Sequence, residues 1–478
     1  MQLSRMERGA VEPHEDETLR GLTEVVLGEL AAGRVRRGGP LPAGGPAAVK
    51  VCVTGRVGSV LPQVGIGAEV ALRELTRALV LGSADPTEAW CVGHLHCAPL
   101  PVAVAADLAA SALNPSMDSW DQAPAAAAIE AEVAAALAAL IYPEAVAPDA
   151  VITSGATESN LVAVLLARET ARASGGSAVQ VVCGDNAHHS VARAAWLLGL
   201  PKPITVNCPT GVLAAAEVGR VLRGHRRWPV LVVATAGTTD AGLIDPLSEL
   251  ADVVAAHGAW LHVDAAYGGP LLFSDELRSR LAGVGAADSV AFDLHKFGWQ
   301  PVAAGVLAVR DAAVLAGLAH RTEYLNADDD LTAGLPDLLG RSIRTSRRPD
   351  AFKIAVTMRA LGKAGLAGLV EHCVCAAEKF AQIVDTHPRM RRRPGAVGIS
   401  TVLFRPVVAD ELGFEEGDAL VSRVRRELLA EGRAVLGRAR VADSDGRIKL
   451  WLKATLLHPQ TSGDDLAPLL DLVADLAG

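Results

Sequence analysis

Residues 289–299 read SVAFDLHKFGW, and the earlier stretch 260–269 reads WLHVDAAYGG. Each begins as an apolar, β-branched run and stops at a charged residue, the pattern of a buried strand that presents that residue at its carboxyl end. The first run leads into His295 and Lys296, the second into Asp264. A lysine amine placed after a strand can form an imine with an aldehyde, and an aspartate ending another strand can hold a pyridinium N–H. A cofactor that is both a pyridine and an aldehyde needs that pair, so the two stretches point to pyridoxal 5'-phosphate.

Working outward, short β-branched runs alternate with helical stretches: AVQVVCGD, PVLVVATAG, AWLHVDAAY, DSVAFDLHK and AAGVLAVR. This alternation predicts an α/β fold with parallel strands joined by helical crossovers, in which ligands sit beyond the carboxyl ends of the strands. Three regions are expected. Residues 1–85 form an N-terminal segment with a helix over Glu15 to Ala32 and a Gly/Pro/Ala-rich linker over Gly33 to Ala48. Residues 86–350 form the large cofactor-binding domain. Residues 351–478 form a smaller α+β domain, opening with a helix over Ala351 to Lys379 and closing with the strand-like RIKLWLKATLL and a helix from about Gly463.

A phosphate needs its own site. In TSGATESN (153–160), small residues and hydroxyls precede the helical LVAVLLARE, so the backbone N–H groups of Gly155 and Ala156 and the Thr157 hydroxyl can meet an anion at a helix N-terminus. An ordinary capped helix is the simpler alternative for this stretch taken alone. In NAHHSV (186–191) an imidazole could stack on a pyridine ring and exchange a proton near the substrate Cα, and only one of His188 and His189 can face the ring. Thr238 and Thr239 end another strand and could contact ring or substrate, or serve only the turn.

Composition excludes several classes. A net charge of −9 and a pI near 5.8 give no footprint for nucleic acid, and Arg391–Arg393 reads as a solvated loop. The first residues, MQLSRMERGAVEPHEDE, are too charged for a secretory signal, which predicts a cytoplasmic protein. Ala123 to Ile141 is alanine-rich but holds Glu130 and Glu132, so a helix packed in protein is expected rather than a membrane span. Seven cysteines without a CxxC pair suggest reduced thiols. His94-Leu95-His96-Cys97 has zinc-ligand residue types, but no second Cys/His cluster accompanies it, and no metal is expected.

The order of TSGATESN, NAHHSV, ATAGTTDAGLIDP, HVDAAYGG and DLHKFGWQP resembles the group II pyridoxal-phosphate decarboxylases, over about residues 86 to 478. The resemblance implies the type I fold of aspartate aminotransferase, a homodimer with active sites at the subunit interface, and the loss of CO2 from an amino acid. It assigns Lys296 to the Schiff base, Asp264 to the pyridine nitrogen and His188 to stacking. Ala266 falls under the ring, Thr239 close to the cofactor, and Gly155, Ala156 and Thr157 near the phosphate together with Asp293 and His295.

Within that family, GHLHCAPLP, NPSMDSWDQAP, FGWQPVAAG, GRAVLGRARV and WLKATLLHPQT are most similar to the siderophore-pathway branch acting on lysine, ornithine or 2,4-diaminobutyrate. In SWDQAP, Trp120 and Asp121 become substrate candidates, because the carboxylate could hold a distal ammonium. Asp121 could equally cap the alanine-rich helix that follows. The resemblance places the segment around His94 in the substrate pocket, making His94 a candidate for the substrate carboxylate or side chain.

One departure stands out. Many members of the family carry a tyrosine on a mobile loop that protonates the substrate carbon after CO2 leaves. Tyrosine occurs here only at 142, 267 and 324, and none lies in 326–339, so His188 or a water held by it is the expected donor. The alternatives are a decarboxylation-dependent amine oxidase, a decarboxylase of aromatic or acidic amino acids, a type I aminotransferase or lyase, and a non-catalytic scaffold.

Overall fold

The computed structural model describes residues 18–225, 229–320 and 322–478. The valine- and alanine-rich runs form β1 (Asp149–Thr153), β2 (Gln180–Gly184), β3 (Ile204–Val206), β4 (Val230–Thr235), β5 (Trp260–Asp264), β6 (Ser289–Asp293) and β7 (Gly305–Val309). They make one sheet in the order β1-β7-β6-β5-β4-β2-β3. Strands β2 to β6 run parallel to one another, whereas β7 is antiparallel to both β6 and β1, so that β1 points the same way as β6. The sheet is mostly parallel, as the alternation of strands and helices leads one to expect, and β7 departs for a physical reason. Only the short helix Leu294–Phe297 and a few further residues separate it from β6, too little chain for a crossover that returns to a parallel start.

Helices on both faces explain why the central strands are continuous apolar runs rather than alternating ones. The helix Pro124–Ile141, long and apolar enough to cross a membrane, buries Val133, Leu137, Ala138 and Ile141 in the main core with β-strand residues Ile152, Val232 and Val263. The four strands β8 (Met390–Arg392), β9 (Thr401–Pro406), β10 (Gly437–Ala442) and β11 (Ile448–Thr455) form a second, antiparallel sheet in the order β10-β11-β9-β8.

The chain divides into two compact units that cut across the three regions read from the sequence. One contains the residues up to Cys91 with Arg423–Leu436, and the other Val92–Ser422 with Gly437–Gly478. In the first, the helix Leu19–Arg37 extends five residues into the expected linker, and a second helix, Gly45–Val57, begins before it ends. The start of the predicted helix, at 15–17, lies outside the described residues. A third helix, Ala68–Gly82, supplies Arg77, whose guanidinium pairs with the buried Glu29 at 2.7 and 2.8 Å and holds that carboxyl below the usual range.

In the larger unit the predicted helix from Ala351 is longer, Asp350–Thr386, and breaks at Gly362, which takes φ 63°. The final helix starts at Ala467 after a short 3-10 turn. Arg391–Arg393 is not a solvated loop. Arg391 and Arg392 lie in β8, and Arg391 pairs with Asp410 and Asp443 while its guanidinium stands 4.7 Å from the Trp451 ring centre.

Three arginines at intervals of three residues pin the segment before Asp350 to β1 and to two of the helices packed on the large sheet. Arg341 reaches Asp149 at the start of β1, Arg344 reaches Glu158, and Arg347 makes a two-pronged pair with Glu130 at 2.5 and 2.6 Å. The last pair is almost wholly buried. Removing one buried charge strands the other, so Arg347→Leu should destabilise the fold by about 3–5 kcal/mol. The double change Arg347→Leu with Glu130→Leu should recover most of that loss in a denaturant titration. Equal midpoints for wild type and Arg347→Leu would show that the pair does not hold this segment.

Candidate active site

Four of the parallel strands end in residues able to meet a ligand. Thr153 closes β1, Thr235 β4, Asp264 β5 and Asp293 β6, and Gly305 opens β7 at the same edge, paired with both Thr153 and Asp293. Beyond these ends lies a cavity of about 390 Å³. It is lined by Gly155, Ala156, Thr157, His188, Thr239, Asp264, Ala266, Asp293, His295 and Lys296 among others. All ten residues expected to surround the cofactor are therefore gathered at one site.

The helix Ala156–Ala173 starts at the cavity edge, and its N-cap residue, Gly155, has no side chain to cap it. Its approach is close: a Cβ on Gly305 would lie 2.4 Å from the Gly155 Cα, so Gly305 lets the loop settle against β7. Glu158 fixes the loop from behind, accepting the Ser154 N–H at 2.7 Å and the Arg344 Nε–H at 2.9 Å. Asp293 accepts the Ala156 N–H at 2.7 Å through one oxygen and meets Lys296 Nζ at 2.9 Å through the other. The N-terminal amides, the aspartate and the lysine thus form one continuous polar wall.

On the opposite wall, Asp264 is buried and accepts the Ala266 N–H at 3.1 Å and an Asn160 amide N–H at 2.8 Å. His188 takes a hydrogen bond at Nδ1 from the Ser190 hydroxyl at 2.8 Å, and burial holds its pKa below the ordinary imidazole value. The His189 ring lies 4.1 Å from it, centre to centre, at a tilt of 50°. His295 is likewise held toward its neutral form by burial, and its Nδ1 accepts the Ala304 N–H at 3.3 Å.

Other candidates fall elsewhere. Leu95 lines the cavity, while His94 is exposed and is not among the lining residues. Cys97 turns its thiol to the Lys296 carbonyl oxygen at 2.8 Å, and no metal-binding cluster occurs among the described residues. Trp120 and Asp121 sit on an exposed 3-10 turn outside the cavity lining of their own chain. Asp121 does not cap the next helix: Ala123 holds the N-cap position, and Asp121 instead accepts from Ser119 Oγ at 2.5 Å. Thr238 serves the turn, its hydroxyl accepting the Leu243 N–H at 3.0 Å.

Tyr267 lines the cavity, but its hydroxyl bonds with Ser400 and Thr401 and burial pushes its pKa up to about 12. Tyr324 is largely exposed.

Sequence reasoning passed over Thr235 and Asn160. The Thr235 hydroxyl is buried, lines the cavity and has no hydrogen-bond partner, so it is available to a polar atom of a bound molecule. Asn160 stands one helical turn after Ala156, on the same face, a spacing that could have marked it.

This donor and acceptor set fits pyridoxal phosphate. An uncapped helix N-terminus suits a phosphate, a buried carboxylate suits a protonated ring nitrogen, a lysine amine suits an aldehyde, and Thr235 offers a spare hydroxyl.

The architecture is that of solved amino acid decarboxylases. The glutamate decarboxylase domain of a diaminobutyrate-pyruvate transaminase and L-2,4-diaminobutyrate decarboxylase from Vibrio parahaemolyticus superposes with a TM-score of 0.82 at 29% identity, covering 98% of this chain and 97% of that one. The Oryza sativa TDC with PLP and tryptamine shares the fold at a TM-score of 0.86 and 23% identity, covering 98% and 99%. Residues 91–406 match the pyridoxal-dependent decarboxylase conserved domain, and the chain belongs to that family, with pyridoxal phosphate as its cofactor. L-2,4-diaminobutyrate decarboxylase of Rhizobium meliloti is 39% identical over 87% of this chain and 83% of its own length. The Acinetobacter baumannii enzyme of the same name is 31% identical over 85% and 83%.

Behind Asp264, the fully buried His262 has its pKa lowered from 6.5 to about 4 by loss of solvent. The folded protein therefore keeps it neutral over a range in which the unfolded chain protonates it. Stability from this residue is complete above about pH 6.5 and falls as pH drops toward 4, by about 2 kcal/mol between pH 7 and 5. The stability difference between wild type and His262→Gln, from denaturant titrations at both pH values, should change by that amount in favour of the variant at pH 5. A pH-independent difference would show that His262 takes up its proton as readily in the folded protein as in the unfolded chain.

Proposed function

We propose that this enzyme removes CO2 from an L-diamino acid, 2,4-diaminobutyrate foremost and lysine or ornithine as close alternatives, releasing a diamine. The observation that carries the proposal is the single cavity in which Lys296, Asp264 and the uncapped helix N-terminus stand together, in a chain 39% identical to a protein named for this reaction.

Lys296 Nζ holds the cofactor covalently through its aldehyde carbon. Asp264 would hold the ring nitrogen, and Ala266 and His188 would pack against the ring. Gly155, Ala156 and Thr157, with Asp293 and His295 beside them, hold the phosphate, and Thr239 stands near the ring. Pyridoxal phosphate, when bound, supplies the conjugated ring that accepts the electron pair left by the departing carboxylate.

With the cofactor bound, Lys296 would give up its place to the substrate amine, and the cavity walls would hold the Cα–carboxylate bond in the orientation in which CO2 is lost. The proton that replaces it at Cα comes from His188, directly or through a water. Its Nδ1 is occupied by Ser190, so a neutral ring carries its proton on Nε2.

A distal ammonium calls for a further carboxylate. Asp264 and Asp293, the carboxylates lining the cavity, are engaged by Asn160, Ala266, Ala156 and Lys296. We assign this role to Asp121 of a second copy in a homodimer, with Trp120 beside it; its exposed turn supports that reading. His94, also exposed, is proposed as a contact from the same direction. Seven unpaired cysteines support a cytoplasmic setting, and the resemblance to the siderophore branch supports a diamine-supplying role there.

Two measurements test this. Borohydride reduction of the holoenzyme should fix cofactor on Lys296 and leave Lys296→Ala unlabelled and inactive, whereas labelling at another lysine would refute the assignment. With CO2, diamine, aldehyde and peroxide followed together, Asp121→Ala should lower kcat/KM for diaminobutyrate by about 2–4 kcal/mol, roughly 30- to 1000-fold, and that for apolar amino acids far less. Equal losses on both substrate classes would remove Asp121 from the site.

A further inference from the structure

The carboxylate of Asp264 sits at the end of a buried chain of polar groups to which nothing above assigns a part. Asn160 bridges three of them. Its amide nitrogen lies 2.8 Å from Asp264 Oδ2 and 2.8 Å from Ser190 Oγ, and its carbonyl oxygen 2.9 Å from His262 Nε2. His262 Nδ1 lies 2.9 Å from Ser289 Oγ, its register partner on β6, and the Trp260 indole N–H points at that oxygen from 3.3 Å.

The hydrogens can be placed from one constraint. An ionised carboxylate only accepts, so the Asn160 NH2 must face Asp264; the flipped amide would set two oxygens against each other. Its second N–H then goes to Ser190 Oγ, and its carbonyl needs a donor, which is His262 Nε2–H. A neutral imidazole has one N–H, so His262 Nδ1 accepts from the Ser289 hydroxyl, and Ser289 Oγ accepts from Trp260. On the other branch, Ser190 Oγ accepts from Asn160 and donates to His188 Nδ1, which leaves the His188 proton on Nε2. Both branches are closed, with each buried polar atom partnered.

We propose that Asn160 and His262 are positioning residues, holding Asp264 as an outward-facing acceptor for the cofactor nitrogen and, through Ser190, fixing the tautomer of His188. The inference rests on the role given to Asp264 above. Asn160 acts by occupying one carboxylate oxygen, so that the carboxylate cannot rotate away from the cavity. His262 acts one step back, by denying the amide its flipped orientation. Neither residue is among those lining the cavity, and so neither is a catalytic residue. The relay also couples two groups of one wall, because the same amide group serves Asp264 and, through one hydroxyl, His188.

The test compares apoenzymes titrated with pyridoxal phosphate, reading the dissociation constant and the visible spectrum of bound cofactor with no substrate present. Asp264→Asn is the reference and should alter both. Asn160→Ala and His262→Leu should alter the spectrum in the same direction and weaken cofactor binding about 10- to 100-fold, the scale of a weakened charge-assisted hydrogen bond. His262→Gln, which retains an N–H donor near the Nε2 position, should stay within about threefold of wild type. Should His262→Leu fail to fold, Ser289→Ala keeps the imidazole and frees it to change tautomer, and should shift the spectrum in the same direction by less. If Asp264→Asn changes binding and spectrum while Asn160→Ala and Ser289→Ala match wild type, the relay is refuted and the role of Asp264 stands. Equal impairment of His262→Gln and His262→Leu likewise refutes it. An Asp264→Asn enzyme with wild-type affinity and spectrum would instead overturn the assignment of Asp264, and the relay with it.

Discussion

A buried carboxylate can only accept hydrogen bonds, and at Asp264 that restriction orders much of the surrounding structure. The aspartate stands at the end of β5, in the middle of the sheet, where little of it reaches water. Donors must come from the protein, and they come from two places: the backbone turning away at Ala266 and the amide of Asn160. An uncompensated carboxylate at this depth would cost several kcal/mol. The helix bearing Asn160 must therefore lie where it does, and its first turn is thereby brought to the cavity edge.

One helix thus serves both ends of the site. Ala156–Ala173 brings its N-terminal turn, with Gly155, Ala156 and Thr157, to the cavity and, a turn later, an amide side chain to Asp264. Its seating depends on two kinds of contact. Gly305 has no side chain, so the Gly155 loop can rest on the start of β7, and Glu158 draws the Ser154 N–H and Arg344 together behind it. The antiparallel β7 is essential here, since its reversed direction brings Gly305 to the edge where the other strands end.

The electrostatics divide the cavity in a useful way. Burial keeps His188, His262 and His295 toward their neutral forms, so each imidazole has one donor and one acceptor nitrogen. The hydrogen bond at Nδ1 then decides that His188 presents a donor. Tyr267, the tyrosine lining the cavity, is tied to Ser400 and Thr401 and held as a neutral phenol.

The ten residues expected at the site, all of which line the cavity, were legible in the sequence, because each follows a strand-like run at its carboxyl end and local pattern alone reveals such ends. TSGATESN, HVDAAYGG and DLHKFGW announce their strands and the turns after them, and the α/β class follows from their alternation. Three things needed the tertiary structure. The reversal of β7 depends on a connection too short for a crossover. The ion pairs of Arg391, which turned an expected loop into a strand, depend on Asp443, far along the chain. The relay from Ser289 through His262 and Asn160 to Asp264 joins residues that are distant in sequence, and its logic is the satisfaction of buried hydrogen bonds, which becomes visible only once the strands lie side by side. Sequence periodicity reports which face of an element is buried, whereas the partner a buried polar group finds there is decided by packing.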